Sequence, residues 1–221
     1  MFQADLSTTR GRAKAWADSL LLDHAVFRVA WQNLSVVEPG MLCRTSHPTP
    51  SHLRVWTRGL GLRTIINLRG ARDCGSDALS RDAAARLGLI HIDMGMESRG
   101  APHRDRILRL AEIYRTMEMP ALIHCKSGAD RTGLAAGIFI LLRGGTTTMA
   151  LRQLSLWPYG HIRASSTGIL DAFFHCYAAT AEGKTPFLDW VRAAYDEQAL
   201  KRDFRAHGLA SFINDSLLRR E

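Results

Sequence analysis

One stretch, Ala121 to Gly133 (ALIHCKSGADRTG), constrains this chain more than any other. It opens on an apolar run, Ala121-Leu122-Ile123, that reads as a short buried strand. It runs into Thr132 to Leu142, TGLAAGIFILL, which reads as a buried helix. Between them lies a tight loop holding Cys125, Gly128 and Arg131. A strand, a short loop and a helix N-terminus turn successive backbone N–H groups inward. The helix dipole adds partial positive charge, so the segment is built to hold an anion.

The side chains give that cradle a chemistry. Cys125 sits at the strand end, at the base of the loop, where inward N–H groups and the helix start activate sulfur as a nucleophile. Arg131 lies where the chain curls back, and its planar fork can hold two oxygens of one tetrahedral group. The Thr132 hydroxyl is placed to donate to the sulfur when it becomes a leaving group. Gly128 frees the loop from steric limits on φ. His124 can orient the loop through neighbouring carbonyls. Lys126, Ser127, Gly128, Ala129, Asp130 and Arg131 then line the anion site, with Lys126 adding charge at the mouth. Asp130 can orient Arg131, position water, or serve as a first-turn helix acid.

On these residues the chain resembles a known family. HCKSGADRT is similar to the signature of cysteine-dependent protein tyrosine and dual-specificity phosphatases: His, Cys, five residues, Arg, then Ser or Thr. The resemblance covers Val36 to Tyr177. Lys126 and the RTG ending look like the compact atypical branch of bacteria, plants and fungi, whose members act on inositol phosphates and phospholipids as well as phosphoproteins. The resemblance implies phosphoryl transfer through a phosphocysteine intermediate, without metal or cofactor. It also implies a general acid on the loop after the preceding strand. Asp93, 32 residues before Cys125, is the first candidate; Glu97, 28 before, is the second and Asp105 the third. Arg69, Arg99, His161 and Arg163 are candidate rim contacts, and Cys43 or Cys74 could trap an oxidised nucleophile as a disulfide.

The expected substrates are phosphotyrosine proteins, with inositol phosphates or a phospholipid headgroup as the alternative. A chain keeping the cradle without a working acid would instead be a phosphate-binding pseudophosphatase, an interaction module.

Composition sets limits around this site. The net charge of +8 is carried almost wholly by arginine, and suits an anionic substrate. The sequence has no compact basic run, no aromatic-interleaved basic stripe and no zinc-finger spacing, so nucleic acid is not expected as a partner. Cysteines at 43, 74, 125 and 176 lack CxxC pairing, as in a reducing, cytoplasmic compartment. No secretory signal or spanning segment is expected. The sequence does not indicate an oligomeric state.

The remaining pattern alternates strands and helices, which predicts an α/β fold: a central, mostly parallel sheet flanked by helices. Residues 1–33 are expected to form an N-terminal segment packed on the domain, loose over 1–15 and helical from Trp16 to Trp31, with contact to a lipid surface as the alternative use of that helix. Residues 34–180 form the catalytic domain, and 181–221 a C-terminal helical extension. In order, the pattern predicts a hairpin around Pro39-Gly40, a helix opened by Thr49-Pro50, a strand over 63–68, a helix over 76–87, a strand over 89–94 and a helix over 103–117. Further helices are predicted over 146–156, 165–179, 185–200 and 209–218, with an aromatic and basic loop, WPYGHIRA, over 157–164. Ligands of such sheets bind at the carboxyl ends of the strands. Those ends carry Arg69 and Asp73, Asp93 and Glu97, and the Cys125 loop.

Overall fold

Short aliphatic runs supply the strands of the computed structural model, which describes residues 4–21 and 32–205. They are β1 (Ser35–Glu38), β2 (Leu42–Thr45), β3 (Thr64–Asn67), β4 (Ile90–Asp93) and β5 (Ala121–His124). They form one five-stranded sheet in the order β1-β2-β5-β3-β4. The β1–β2 hairpin is antiparallel, and every other pairing is parallel. The fold is thus the mostly parallel α/β sheet that the sequence predicts.

The order places β5 in the middle, flanked by β2 and β3. Every residue of β5 is fully buried. Its apolar run is continuous because both faces are covered by helices. The loop bearing Cys125 therefore leaves from the centre of the sheet's carboxyl edge.

The helices are α1 (Thr9–Leu21), α2 (Pro50–Leu60), α3 (Gly75–Arg86), α4 (Arg104–Thr116), α5 (Asp130–Leu142), α6 (Thr147–Arg152), α7 (Ile169–Thr180) and α8 (Phe187–Ala193). Thr49 caps α2, accepting from the His52 N–H at 3.2 Å, and Pro50 occupies the first turn. Strand residues alternate between layers. Cys43, Ile65 and Leu122 face α2 and α3, in a cluster with Leu53, Trp56 and Ala84. Leu42, Ile66 and Ile123 face the larger cluster, with Leu110, Leu134, Ile138 and Phe139.

That larger core also takes in Phe187, Trp190, Val191, Tyr195 and Leu200. The Phe173 ring meets Phe187, Trp190 and Tyr195 at 5.1–6.1 Å between centroids. Tyr195 donates its hydroxyl to the Pro102 carbonyl at 2.8 Å, while Glu197 accepts from the Arg104 N–H at 2.5 Å and pairs with His103 at 2.7 Å. The segment after α8 thereby holds the loop between β4 and α4.

Three predicted helices differ in extent. Helix α1 starts at Thr9, earlier than expected, because its first turn is closed by Asp5 and Thr8: the Thr8 N–H and hydroxyl both bond the Asp5 carbonyl. Residues 22–31 of the predicted N-terminal helix lie outside the described residues. The helix expected over 146–156 ends at Arg152. The helix expected over 185–200 breaks at Ala194–Asp196, where Tyr195 turns into the aromatic core and Asp196 caps a new helical stretch over 197–205. The helix predicted over 209–218 lies outside the described residues.

Gly133 lets α5 and α6 approach. A Cβ there would lie 2.5 Å from the Gln153 carbonyl oxygen and 2.7 Å from Leu154. Gly133→Ala is expected to lower stability by about 1–3 kcal/mol through overpacking, read as a lower urea midpoint at unchanged m-value.

Candidate active site

The loop from Cys125 to Ala129 is shaped by what its carbonyls do. Each one has a donor outside the loop's concave face. The Cys125 carbonyl lies 3.3 Å from His124 Nδ1, and the Lys126 carbonyl accepts from the His47 N–H at 3.1 Å. The Ser127 carbonyl accepts from Asn33 Nδ2 at 3.1 Å, and the Gly128 carbonyl from Arg44 at 2.7 Å. The Ala129 carbonyl takes the Gly133 N–H of helix α5 at 2.9 Å and Arg44 at 3.4 Å. A peptide whose C=O points out points its N–H the other way, so these bonds set up the inward amides of an anion nest.

Gly128 makes the turn possible. Its φ is +79°, and a Cβ would sit 2.7 Å from the Ser46 nitrogen and 2.8 Å from the Thr45 carbonyl carbon. Its N–H donates toward Cys125 Sγ at 3.3 Å. The cysteine lies at the foot of the loop, almost fully covered. Thr132, in the first turn of α5, is fully buried, and its hydroxyl has no hydrogen-bond partner among the described residues. Arg131 is half-buried and donates through Nε to the Met96 carbonyl at 2.9 Å, which ties it to the loop following β4.

The 157–164 loop is clamped to the same element. His161 is fully buried, bonding Asp130 at 2.8 Å through Nδ1 and Asp171 at 2.7 Å through Nε2, and Arg163 donates to Asp171 at 2.9 Å. Burial alone would depress the imidazole, but the bonds to Asp130 and Asp171 outweigh it and raise His161 to about 9. Both ring nitrogens then carry protons and donate. Asp130 thus faces His161, and it is this clamp, rather than Arg131, that its carboxylate serves. His124 shows the opposite balance: complete burial, aided by His47, holds it well below its ordinary value.

The two acid candidates occupy different places. Asp93 ends β4, and both of its oxygens accept from Arg81 at 2.7 Å, with Asn67 at 3.1 Å. Arg81 and Asn67 also bind Asp77 of α3, at 2.7 and 2.9 Å. Asp93 is therefore tied into the β3–α3–β4 junction, with both oxygens engaged by a guanidinium. Glu97 lies on the loop after β4, next to the Met96 carbonyl that receives Arg131. Its carboxylate accepts from Arg106 at 2.5 Å and from the His103 N–H at 3.4 Å. Asp105 is exposed in the first turn of α4.

Among the rim candidates, Lys126, Ser127, Arg99 and Arg163 are exposed, whereas Arg69 is half-buried with its guanidinium 3.4 Å from His47. Cys43 lies in the layer opposite to Cys125, and Cys74 occupies the N-cap position of α3 without a side-chain cap bond. Sequence reasoning missed Asn33, Arg44 and Gln153. Arg44 did carry a signal: a charged side chain inside a strand read as buried needs a reason to be there.

A central strand, a Cys-to-Arg nest and a following buried helix place the molecule with the cysteine-based phosphatases of the dual-specificity and tyrosine type. The family model "DSP-PTPase phosphatase fused to NAD+ Kinase" matches residues 31–156, and the chain belongs to that family. The tyrosine-protein phosphatase cdcA of Emericella nidulans is 32% identical over 95 residues, 41% of this chain but 15% of that protein, so the chain spans a small part of that relative's length. Two solved structures share the fold. TpbA of P. aeruginosa has a TM-score of 0.54 at 20% identity, over 74% of this chain and 90% of that one. The Siw14 catalytic core of S. cerevisiae has a TM-score of 0.54 at 19% identity, over 80% and 92%.

The His161 clamp gives a signed pH dependence. The folded value of about 9 lies above the ordinary 6.5, so its stabilisation is complete below about pH 6.5 and is lost as pH rises through 9. Thermal unfolding of wild type and His161→Gln should differ most near pH 6, by on the order of 1–3 kcal/mol, and converge above pH 9.5. A gap that widens with pH would contradict a charged imidazole.

Proposed function

We infer that this chain hydrolyses phosphate monoesters through a phosphocysteine intermediate, and that phosphotyrosine in proteins is its first substrate class. The observation that carries the reading is the outward pinning of every loop carbonyl from Cys125 to Ala129, which leaves the amides to face one tetrahedral anion above the sulfur. In the first step, Cys125 Sγ attacks phosphorus and the ester oxygen departs with a proton from the acid. Loop amides and the free terminal nitrogens of Arg131 hold the equatorial oxygens. In the second step, water attacks phosphorus and gives its proton to the carboxylate that the acid has become, and the S–P bond breaks. The orphaned Thr132 hydroxyl then meets the departing thiolate.

For the acid we favour Glu97 over Asp93. Arg131 is tied directly to the Glu97 loop, and the side-chain partners of Glu97, Arg106 and His103, are about half exposed. Asp93 is engaged by Arg81 and by the buried Asn67.

Inositol phosphates or phospholipid headgroups are the second reading. Exposed Lys126 at the mouth favours them, as do exposed Leu156, Trp157 and Ile162 beside Arg163 on the clamped loop. A TpbA variant has been crystallised with phosphotyrosine, in a chain that shares this fold at a TM-score of 0.51. That likeness keeps the protein substrate first.

Turnover of p-nitrophenyl phosphate should persist with a chelator present. Cys125→Ser should abolish it while still binding phosphate; a wild type that binds phosphate without turnover would leave the interaction module. A panel of phosphopeptides, inositol phosphates and lipid phosphates ranks the substrate classes by kcat/KM.

The acid assignment has its own test. Glu97→Gln should lower kcat by roughly 10²–10⁴-fold for an alkyl phosphate and far less for p-nitrophenyl phosphate, whose leaving group needs little protonation. Asp93→Asn should lower stability and affect both substrates alike. The reverse pattern would return the role to Asp93.

A further inference from the structure

Arg44 is a guanidinium with no exposed surface, in the middle of the buried strand β2. Burying a charge costs several kcal/mol unless partners repay it. Its partners are unusual. One terminal nitrogen donates to the Gly128 carbonyl at 2.7 Å and the Ala129 carbonyl at 3.4 Å. The other donates to the Gln153 carbonyl at 2.7 Å and the Gln153 side-chain oxygen at 2.8 Å. The Tyr159 ring covers its face at 3.6 Å from the centroid. No carboxylate among the described residues pairs with it, so its charge is uncompensated.

This combination would be wasteful in a core that needed only packing. It makes sense if an anion supplies the missing counter-charge. We propose that Arg44 is a positioning residue of the phosphate loop, whose fork fixes the Gly128 and Ala129 peptides with their amides inward and whose charge stands behind the bound phosphate. The inference rests on reading the loop as an oxyanion cradle. It does not depend on which ester is cleaved.

Two further features agree. Gly128 packs directly on the backbone of Thr45 and Ser46, the residues that follow Arg44, so a side chain from β2 reaches beneath the loop without crossing open space. Burial pulls the guanidinium down from its ordinary value to about 10, against the opposing pull of Tyr159 and Cys125, so it remains charged at neutral pH. Arg131 grips the anion from the mouth, while Arg44 acts through the loop peptides from behind and touches no substrate.

The test is tungstate affinity by calorimetry on the full chain, with folding checked by circular dichroism, beside steady-state kinetics. Arg44→Met should weaken tungstate by about tenfold or more, the change expected for loss of one charge-assisted contact. Arg44→Lys keeps a charge without the fork and should fall between Met and wild type. Tyr159→Leu, at a partly exposed position, should give a smaller loss of the same sign. A merely structural role would reduce the binding-competent fraction and leave the dissociation constant of the folded fraction unchanged.

Folded Arg44→Met with tungstate affinity within twofold of wild type overturns the proposal. If Arg44→Met does not fold, wild-type affinity in both Arg44→Lys and Tyr159→Leu overturns it. The two readings separate cleanly. A wild type that binds tungstate but cleaves no monoester refutes the hydrolase and leaves the Arg44 comparison intact. A wild type that binds no tungstate refutes both.

Discussion

A backbone loop can present several amides to one anion only if its carbonyls are engaged elsewhere, since each peptide carries both dipole ends. Here that requirement organises the carboxyl edge of the sheet. The donors that occupy the carbonyls come from far apart in the chain: Asn33 before β1, Arg44 of β2, His47 after it and Gly133 of α5. Placing β5 between β2 and β3 brings the loop within reach of the first three, and strand order thus becomes loop geometry. An isolated peptide with the same letters would have no such donors, and its carbonyls would turn to water.

The segments after α5 extend the same logic. Gln153, just past α6, holds Arg44, and Asn33 bonds the Tyr159 carbonyl at 2.9 Å as well as Ser127. His161 then fastens the 157–164 loop to Asp130. Further along, Tyr195 and Glu197 latch the loop that carries Met96 and Glu97. Tyr195 and Glu197 are thus bound to the loop whose Met96 carbonyl receives Arg131.

How much of this the letters reveal depends on whether the cause is local. The strand, turn and helix around Cys125 are legible because an apolar run, a glycine needing positive φ and a second apolar run are adjacent in sequence. Thr49-Pro50 is legible for the same reason. The break at Tyr195 is not, because an aromatic residue at a helical spacing looks like any other until its ring finds Phe173 and its hydroxyl finds Pro102. The partners of Asp93 are hidden in a related way. Its spacing from Cys125 suits an acid, but Arg81, which bonds both its oxygens, belongs to a helix whose packing the spacing does not encode. The sheet order and the cross-chain donors of the loop are likewise tertiary facts.

The electrostatics of the two buried cations then differ in a way that bears on function. His161 is charged, but Asp130 and Asp171 face it and Arg163 balances the second carboxylate, so the clamp as a whole is close to neutral. It can fix the neighbouring loop without altering the potential over the nest. Arg44 has no such partner, and burial lowers its proton affinity more than Tyr159 and Cys125 raise it. In a low-dielectric interior an uncompensated charge is costly unless the site is occupied by its opposite. A dianion held by the loop would supply that opposite, so a charge that never touches the ligand would strengthen its binding.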